Sequence, residues 1–172
     1  MKTKFFISFG TISFILLVFF LSLSKDNRYE TRDLVGKKLS DFEATELFGD
    51  IKISNKDLKK NNFTLINFWA SWCAPCKKEH KYLILLRDKA KLKILGINFK
   101  DKENNAKNFL NDLGNPYYFL AKDDNGKVSV DFGIYGVPES ILIDKDLTII
   151  KKIVGPISAE NYKEIIEIIS NS

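Results

Sequence analysis

The sequence predicts an α/β fold: a central mixed β-sheet flanked by helices on both faces, an N-terminal hairpin extension, and an N-terminal transmembrane helix ahead of it. Three observations carry this. Phe63–Ala70 and Leu92–Phe99 are apolar at nearly every position, the pattern of strands covered on both faces. Each is followed by residues at helical spacing, which reads as βαβα with parallel strands. Ser140–Asp144 and Leu147–Val154 then read as two strands joined by the Asp144-Lys145-Asp146 turn, and a last helix completes ββα.

The first element is a membrane address. Phe5 to Leu23 is a 19-residue run without a charge, about 28 Å as a helix and close to the roughly 30 Å hydrocarbon core. It is longer than the apolar region of an ordinary signal peptide, so an uncleaved anchor is expected. Small residues at Ser22 and Ser24 leave cleavage after Ser24 as the alternative. Lys2 and Lys4 precede the run and Lys25, Arg28 and Arg32 follow it, so charge alone does not orient it. The short tail favours a cytoplasmic N-terminus and an exported bulk. The chain thus divides into an anchor or signal segment (1–24), a polar tether (25–33) and one domain (34–172).

Asp41 to Ile53 reads as a hairpin with Gly49-Asp50 at its turn. After the Phe63–Ala70 strand, Glu79, Tyr82, Leu83, Leu86 and Ala90 recur at helical spacing. Ala106–Leu113 forms a second helix that stops before Gly114-Asn115-Pro116. The last helix starts near Ser158, a good N-cap, and carries an apolar stripe of Tyr162, Ile165, Ile166 and Ile169.

Composition excludes several function classes. The chain has 172 residues and a net charge of +5, but only three of its 27 basic residues are arginines. Acidic residues interleave with the lysines throughout, which describes a solvated mixed surface and no nucleic-acid site. Two cysteines are too few for a disulfide scaffold.

Both cysteines lie in Trp72-Cys73-Ala74-Pro75-Cys76, after a buried strand and at the start of a helix. Unpaired N–H groups and the positive end of the helix dipole favour an anion there, so the Cys73 thiol should titrate below its free value. Cys76 lies one turn further in, and the two can close a small disulfide ring that Pro75 stiffens. A nucleophile with a resolving partner three residues away is a dithiol–disulfide exchange device. A purely structural disulfide would close too short a loop to stabilise much. Zinc would need two more ligands, and His80 is the only further soft one; covalent haem would need His at position 77, which is Lys. No metal or cofactor is expected.

The stretch from Asn67 to Lys77 (NFWASWCAPCK) resembles the active-site strand and turn of the thioredoxin superfamily. More narrowly, Cys73-x-x-Cys76-x-x-Glu79-His80, Gly96-Ile97-Asn98-Phe99-Lys100-Asp101, Leu113-Gly114-Asn115-Pro116-Tyr117 and Tyr135-Gly136-Val137-Pro138-Glu139-Ser140 resemble the cytochrome c biogenesis thiol:disulfide interchange proteins (CcmG/DsbE family). The likeness runs from about residue 34 to 156. It implies a thioredoxin-like fold and a reductant anchored in the bacterial inner membrane, single-pass, with its catalytic domain in the periplasm. It further implies a monomer reduced by a membrane electron donor of the DsbD or CcdA kind, passing electrons to the apocytochrome c Cys-x-x-Cys-His disulfide or to a haem-ligation thiol protein.

Roles follow partly from chemistry and partly from that likeness. Cys73 attacks and Cys76 resolves, with Trp72 and Pro75 supporting. Pro138, after Val137, resembles the superfamily's cis-proline facing the sulfurs, and the adjacent backbone would pair with an extended substrate strand. Glu79, on the Cys76 face of the helix, would raise the cysteine pKa values and accept the Cys76 proton. General thioredoxins have a buried aspartate where this chain has Asn67, which cannot carry that proton. His80 reads as a structural or surface residue. Glu139 is expected either to set partner choice by its charge or to be a plain surface carboxylate. A broader TlpA/ResA-like reductase, and a tethered module that only captures apocytochrome segments, are the competing functions. An oxidant in the DsbA manner is chemically open as well, because the Ala-Pro dipeptide does not set the redox poise.

Overall fold

The computed structural model describes residues 2–23 and 34–171, with side chains in the first stretch described for residues 9–20. The chain divides into two compact units, Met1–Glu30 and Thr31–Ser172. The first holds helix α1 (Lys2–Leu23), whose described side chains are exposed and mostly apolar, among them Phe14, Leu16 and Phe20. Among the described residues no helix is long and apolar enough to cross a membrane. The tether lies outside the described residues apart from its neighbours in sequence.

The second unit is one seven-stranded mixed sheet with helices on both faces. In chain order it contains β1 (Glu43–Glu46), β2 (Lys52–Ser54), α2 (Asn55–Leu58), β3 (Phe63–Trp69), α3 (Ala74–Ala90), β4 (Lys93–Phe99), α4 (Glu103–Leu113), β5 (Phe119–Asp123), α5 (Lys127–Asp131), β6 (Glu139–Asp144), β7 (Ile149–Val154) and α6 (Ala159–Ser170). The strand order is β2-β1-β5-β4-β3-β6-β7. β3, β4 and β5 are parallel neighbours, and β6 and β7 join antiparallel.

The alternation of side chains along β3 sorts the core. Leu65 and Trp69 face a layer built by Cys76, Leu83 and Leu86 of α3, Ala106 and Leu110 of α4, and Ile165 of α6. Ile66 and Phe68 face the other layer, with Leu58 of α2, Phe132 and Ile134. Both faces of β3 are therefore dry, which is why its sequence reads as a continuous apolar run.

The strands expected at Phe63–Ala70, Leu92–Phe99, Ser140–Asp144 and Leu147–Val154 are present within a residue or two. The hairpin is present too, but it is no appendage: β1 pairs with β5 and extends the central sheet. Three elements were not expected. α2 is a single turn, its four residues too few to show a period. β5 is a five-residue strand whose burial comes from its neighbours rather than from its own pattern. α5 is held by the side chain that ends β5, with Asp123 accepting from the Val128 and Ser129 N–H groups and the Ser129 hydroxyl. The Ala106–Leu113 helix starts three residues earlier, at Glu103.

Candidate active site

β3 ends at Trp69, and Ala70-Ser71-Trp72 carries the chain to Cys73, the N-cap of α3. Asp101 braces this turn. Its carboxylate accepts from the Ser71 N–H (2.6 Å) and hydroxyl (2.8 Å), from Asn98 Nδ2 and from the Lys102 N–H. Trp72 is 58% exposed, and its indole N–H donates to the Lys100 carbonyl. A large aromatic is thus pinned at the surface beside the sulfurs.

Cys73 and Cys76 form a disulfide, with their Cα atoms 5.3 Å apart. Cys73 Sγ accepts from the Cys76 N–H at 3.1 Å, one of the orphan donors of the first helical turn. Pro75 sits in that first turn, where its missing N–H has no consequence. Both cysteines are buried, Cys73 nearly as closed off as Cys76. The Val137 carbonyl oxygen lies 3.5 Å from Cys73 Sγ, and the Val137–Pro138 peptide bond is cis. Pro138 is buried, whereas Tyr135 and Gly136 on the same loop are exposed.

Behind the sulfurs lies a closed polar network. In the sheet register, Asn67 of β3 pairs with Gly96 of β4 on one side and Ser140 of β6 on the other. Asn67 Nδ2 donates to Glu79 Oε1 (2.9 Å) and to Ser140 Oγ (3.0 Å). Its Oδ1 accepts from the Tyr117 hydroxyl (2.9 Å), and Glu79 Oε2 accepts from the Ile157 N–H (2.8 Å). Glu79 is only 1% exposed. Burial, partly offset by the Ile157 and Asn67 bonds, pushes its pKa from 4.5 up to about 7. Burial and then the Glu79 charge push the Tyr117 phenol well above its ordinary value, so it remains a donor. Tyr117 fits because residue 96 is glycine: a Cβ there would meet its ring at 2.6 Å. Trp69 stacks on that ring, with centroids 5.3 Å apart.

His80 is buried, not on the surface. Its Nε2 bonds the Gly114 carbonyl at 2.9 Å and its ring meets Phe109 edge-on. Burial lowers its pKa, with the Gly114 and Leu113 carbonyls opposing. Glu139 is not a surface carboxylate. It is 3% exposed, and Oε1 accepts from the Tyr135 (3.0 Å) and Gly136 (3.1 Å) N–H groups. Its Oε2 is ion-paired with Lys152 Nζ at 3.0 Å. Glu139 opens β6, a strand buried at every residue but its last, so its carboxylate lies inside the fold.

The structure therefore gathers Trp72, Cys73, Pro75, Cys76, Val137 and Pro138 at one end of the sheet, with Glu79 and Glu139 buried on either side of it. Sequence reasoning missed Asp101, Tyr117, Ser140 and Lys152 as parts of this assembly. Asp101 and Tyr117 stood in the Asn98-Phe99-Lys100-Asp101 and Gly114-Asn115-Pro116-Tyr117 blocks, but nothing in the spacing said what they touch. Among the described residues no group of three or more His, Cys, Asp or Glu side chains is placed to hold a metal ion.

Comparison with known proteins adds four findings. The Redoxin family model matches residues 34–166. The thiol:disulfide interchange protein CycY of Rhizobium leguminosarum bv. viciae is 48% identical over 61% of this chain, though the match spans only 56% of that relative's length. The thiol:disulfide interchange protein DsbE of Vibrio cholerae is 40% identical over 76% of this chain and 71% of its own. Among solved structures, a DsbE-type thiol:disulfide interchange protein of Chlorobium tepidum superposes with a TM-score of 0.68 at 26% identity, over 79% of this chain and 96% of that one.

Proposed function

The chain belongs to the Redoxin family and, within it, to the thiol:disulfide interchange proteins of the DsbE kind, and on that premise we propose that this disulfide oxidoreductase is a periplasmic, membrane-anchored reductant of cytochrome c maturation. The observation that carries the exchange chemistry is the Cys73 sulfur itself. It caps α3, accepts the Cys76 N–H, and faces the Val137 carbonyl.

In the reduced protein the Cys73 thiolate takes the same capping place. It attacks one sulfur of the client disulfide; a mixed disulfide forms and the client's other sulfur leaves as a thiolate and takes a proton. Cys76 then loses its proton and attacks Cys73 Sγ, closing the Cys73–Cys76 disulfide and releasing the second client sulfur as a thiolate that takes a proton from solvent. The proton goes to Glu79, three residues further along the same helix, whose pKa near 7 lets it accept and later release a proton at working pH. Val137 borders the Cys73 sulfur, and an extended client segment would lie along its loop, which carries the exposed residues Tyr135 and Gly136, with Trp72 exposed next to Cys73 in the chain. The client is the Cys-x-x-Cys-His disulfide of apocytochrome c or a haem-ligation thiol protein, and electrons arrive from a DsbD- or CcdA-like donor. The uncharged run from Phe5 to Leu23 supports a single membrane anchor.

The test is the reduction potential of the Cys73–Cys76 couple, by equilibration against glutathione. A value near the roughly −270 mV of thioredoxin supports a reductant that needs a membrane donor. A value near the roughly −120 mV of DsbA makes the protein an oxidant and overturns the reading. Faster reduction of a Cys-x-x-Cys-His peptide disulfide than of an unrelated peptide disulfide separates the cytochrome client from a broad TlpA/ResA-like range.

A further inference from the structure

Lys152, on β7, is a buried cation with a side chain only 1% exposed. A lysine so placed needs partners, because an unpaired buried charge is expensive. Its Nζ lies 3.0 Å from Glu139 Oε2, in an ion pair rather than an aligned hydrogen bond. It also donates to the Gly133 carbonyl at 2.6 Å. Glu139 in turn takes the Tyr135 and Gly136 N–H groups on its other oxygen. The pair therefore holds the loop between α5 and β6 at both ends. Lys152 grips Gly133 where the loop begins, and Glu139 grips Tyr135 and Gly136 just before Val137 and Pro138.

The sheet explains how this reaches the sulfurs. Lys152 pairs in register with Ile141, two residues beyond Glu139, so the two side chains meet diagonally across β6 and β7. Gly155, just after β7, donates its N–H to the Pro138 carbonyl. The loop is thus tied to β7 twice. Its free edge carries the Val137 carbonyl to within 3.5 Å of Cys73 Sγ.

We propose that Lys152 is a positioning residue for client binding: through Glu139 and Gly133 it fixes the Gly133–Pro138 loop as a rigid ledge on which the client's backbone docks beside Cys73. This rests on the strand-docking reading above. A preformed ledge lowers the ordering cost of binding, so its loss should weaken docking more than it slows the chemistry.

The test uses the full chain in detergent, with a Cys-x-x-Cys-His peptide disulfide and a small disulfide without a peptide backbone, bis(2-hydroxyethyl) disulfide. Lys152→Met should raise KM for the peptide about tenfold with a much smaller change in kcat. The loss in kcat/KM should be about tenfold larger for the peptide than for the small disulfide. Lys152→Arg, which keeps the charge and the donors, should recover most of the loss. Should Lys152→Met fail to fold, Glu139→Gln/Lys152→Met removes both charges while leaving an acceptor for Tyr135 and Gly136, and the same ratio applies. Equal losses on both substrates, an unchanged peptide KM, or no rescue by arginine overturn the proposal. If the wild-type chain itself shows no preference for the peptide, strand docking falls as well; a wild-type preference kept in the variants overturns the ledge alone.

Discussion

Replacing Glu79 by Gln should flatten the pH dependence of stability. The carboxyl is buried under α3, and its pKa rises from 4.5 to about 7 on folding. Between those values the native state holds a proton that the unfolded state has released. Stability therefore falls as pH rises through that window and levels off above it. At about 1.4 kcal/mol per pH unit, the loss is on the order of 3 kcal/mol. Glutamine has the same shape and no charge. Its oxygen can take the Ile157 N–H, and a flip of the Asn67 amide presents Oδ1 to the new NH2 group while Tyr117 and Ser140 rotate their hydroxyls. The assay is urea unfolding of both proteins, oxidised so that the cysteines do not titrate, from pH 4.5 to 8.5. Relative to wild type, the variant should gain stability on the order of 3 kcal/mol between the two ends. Curves that stay parallel across the range would refute the buried-proton argument. The kinetic counterpart is the Cys76 titration and the exchange rate: if neither changes in Glu79→Gln, Glu79 is not the proton acceptor.

His80 works in the opposite sense. Its folded pKa lies below 6.5, so its contribution to stability is present above that value and is lost as pH falls below it. His80→Gln, which can still donate to the Gly114 carbonyl, should lose less stability than wild type between pH 6.5 and 5 in the same unfolding assay. Cys76→Ser should trap a mixed disulfide at Cys73, visible as a client adduct on a non-reducing gel, whereas Cys73→Ser should form none. If Cys76→Ser kept full turnover, the capture-only reading would stand in place of exchange. Gly96→Ala should cost about 1–3 kcal/mol in urea unfolding, because the added methyl meets the Tyr117 ring and overpacks the network under α3. A Gly96→Ala variant as stable as wild type would mean that the ring has room to move. Asp101→Asn should loosen the turn before Cys73 and cost about 1–3 kcal/mol, since it weakens the bonds to the Ser71 and Lys102 N–H groups.

Local pattern carried the strands and the reactive pair. β3 and β4 read as buried because they are covered on both faces, so nearly every position is apolar and no neighbour has to be known. α6 read from its cap and stripe, and Ser158 does accept the Asn161 N–H. Cys73 and Cys76 were legible because a strand, a turn and a helix start all lie within a dozen residues. β5 and α5 were not legible: the strand is half-formed by its neighbours, and the short helix hangs on the Asp123 carboxylate. Glu139 misled for a related reason. A charged residue in a turn motif reads as exposed, and only β7 brings up the lysine that makes its burial tolerable.

By itself, the sequence determined an α/β domain with an exchange-competent cysteine pair at a helix start, because these depend on contacts within a few residues. What surrounds the sulfurs was decided by tertiary structure alone. Asn67, Gly96 and Ser140 become neighbours only through sheet register, and Tyr117 and Glu79 join them only once the α4–β5 connection and α3 pack on the same face. Lys152 reaches Glu139 only across the last pair of strands. A pKa near 7 and a braced loop arise from desolvation and long-range hydrogen bonds, and neither has a signature in local residue pattern.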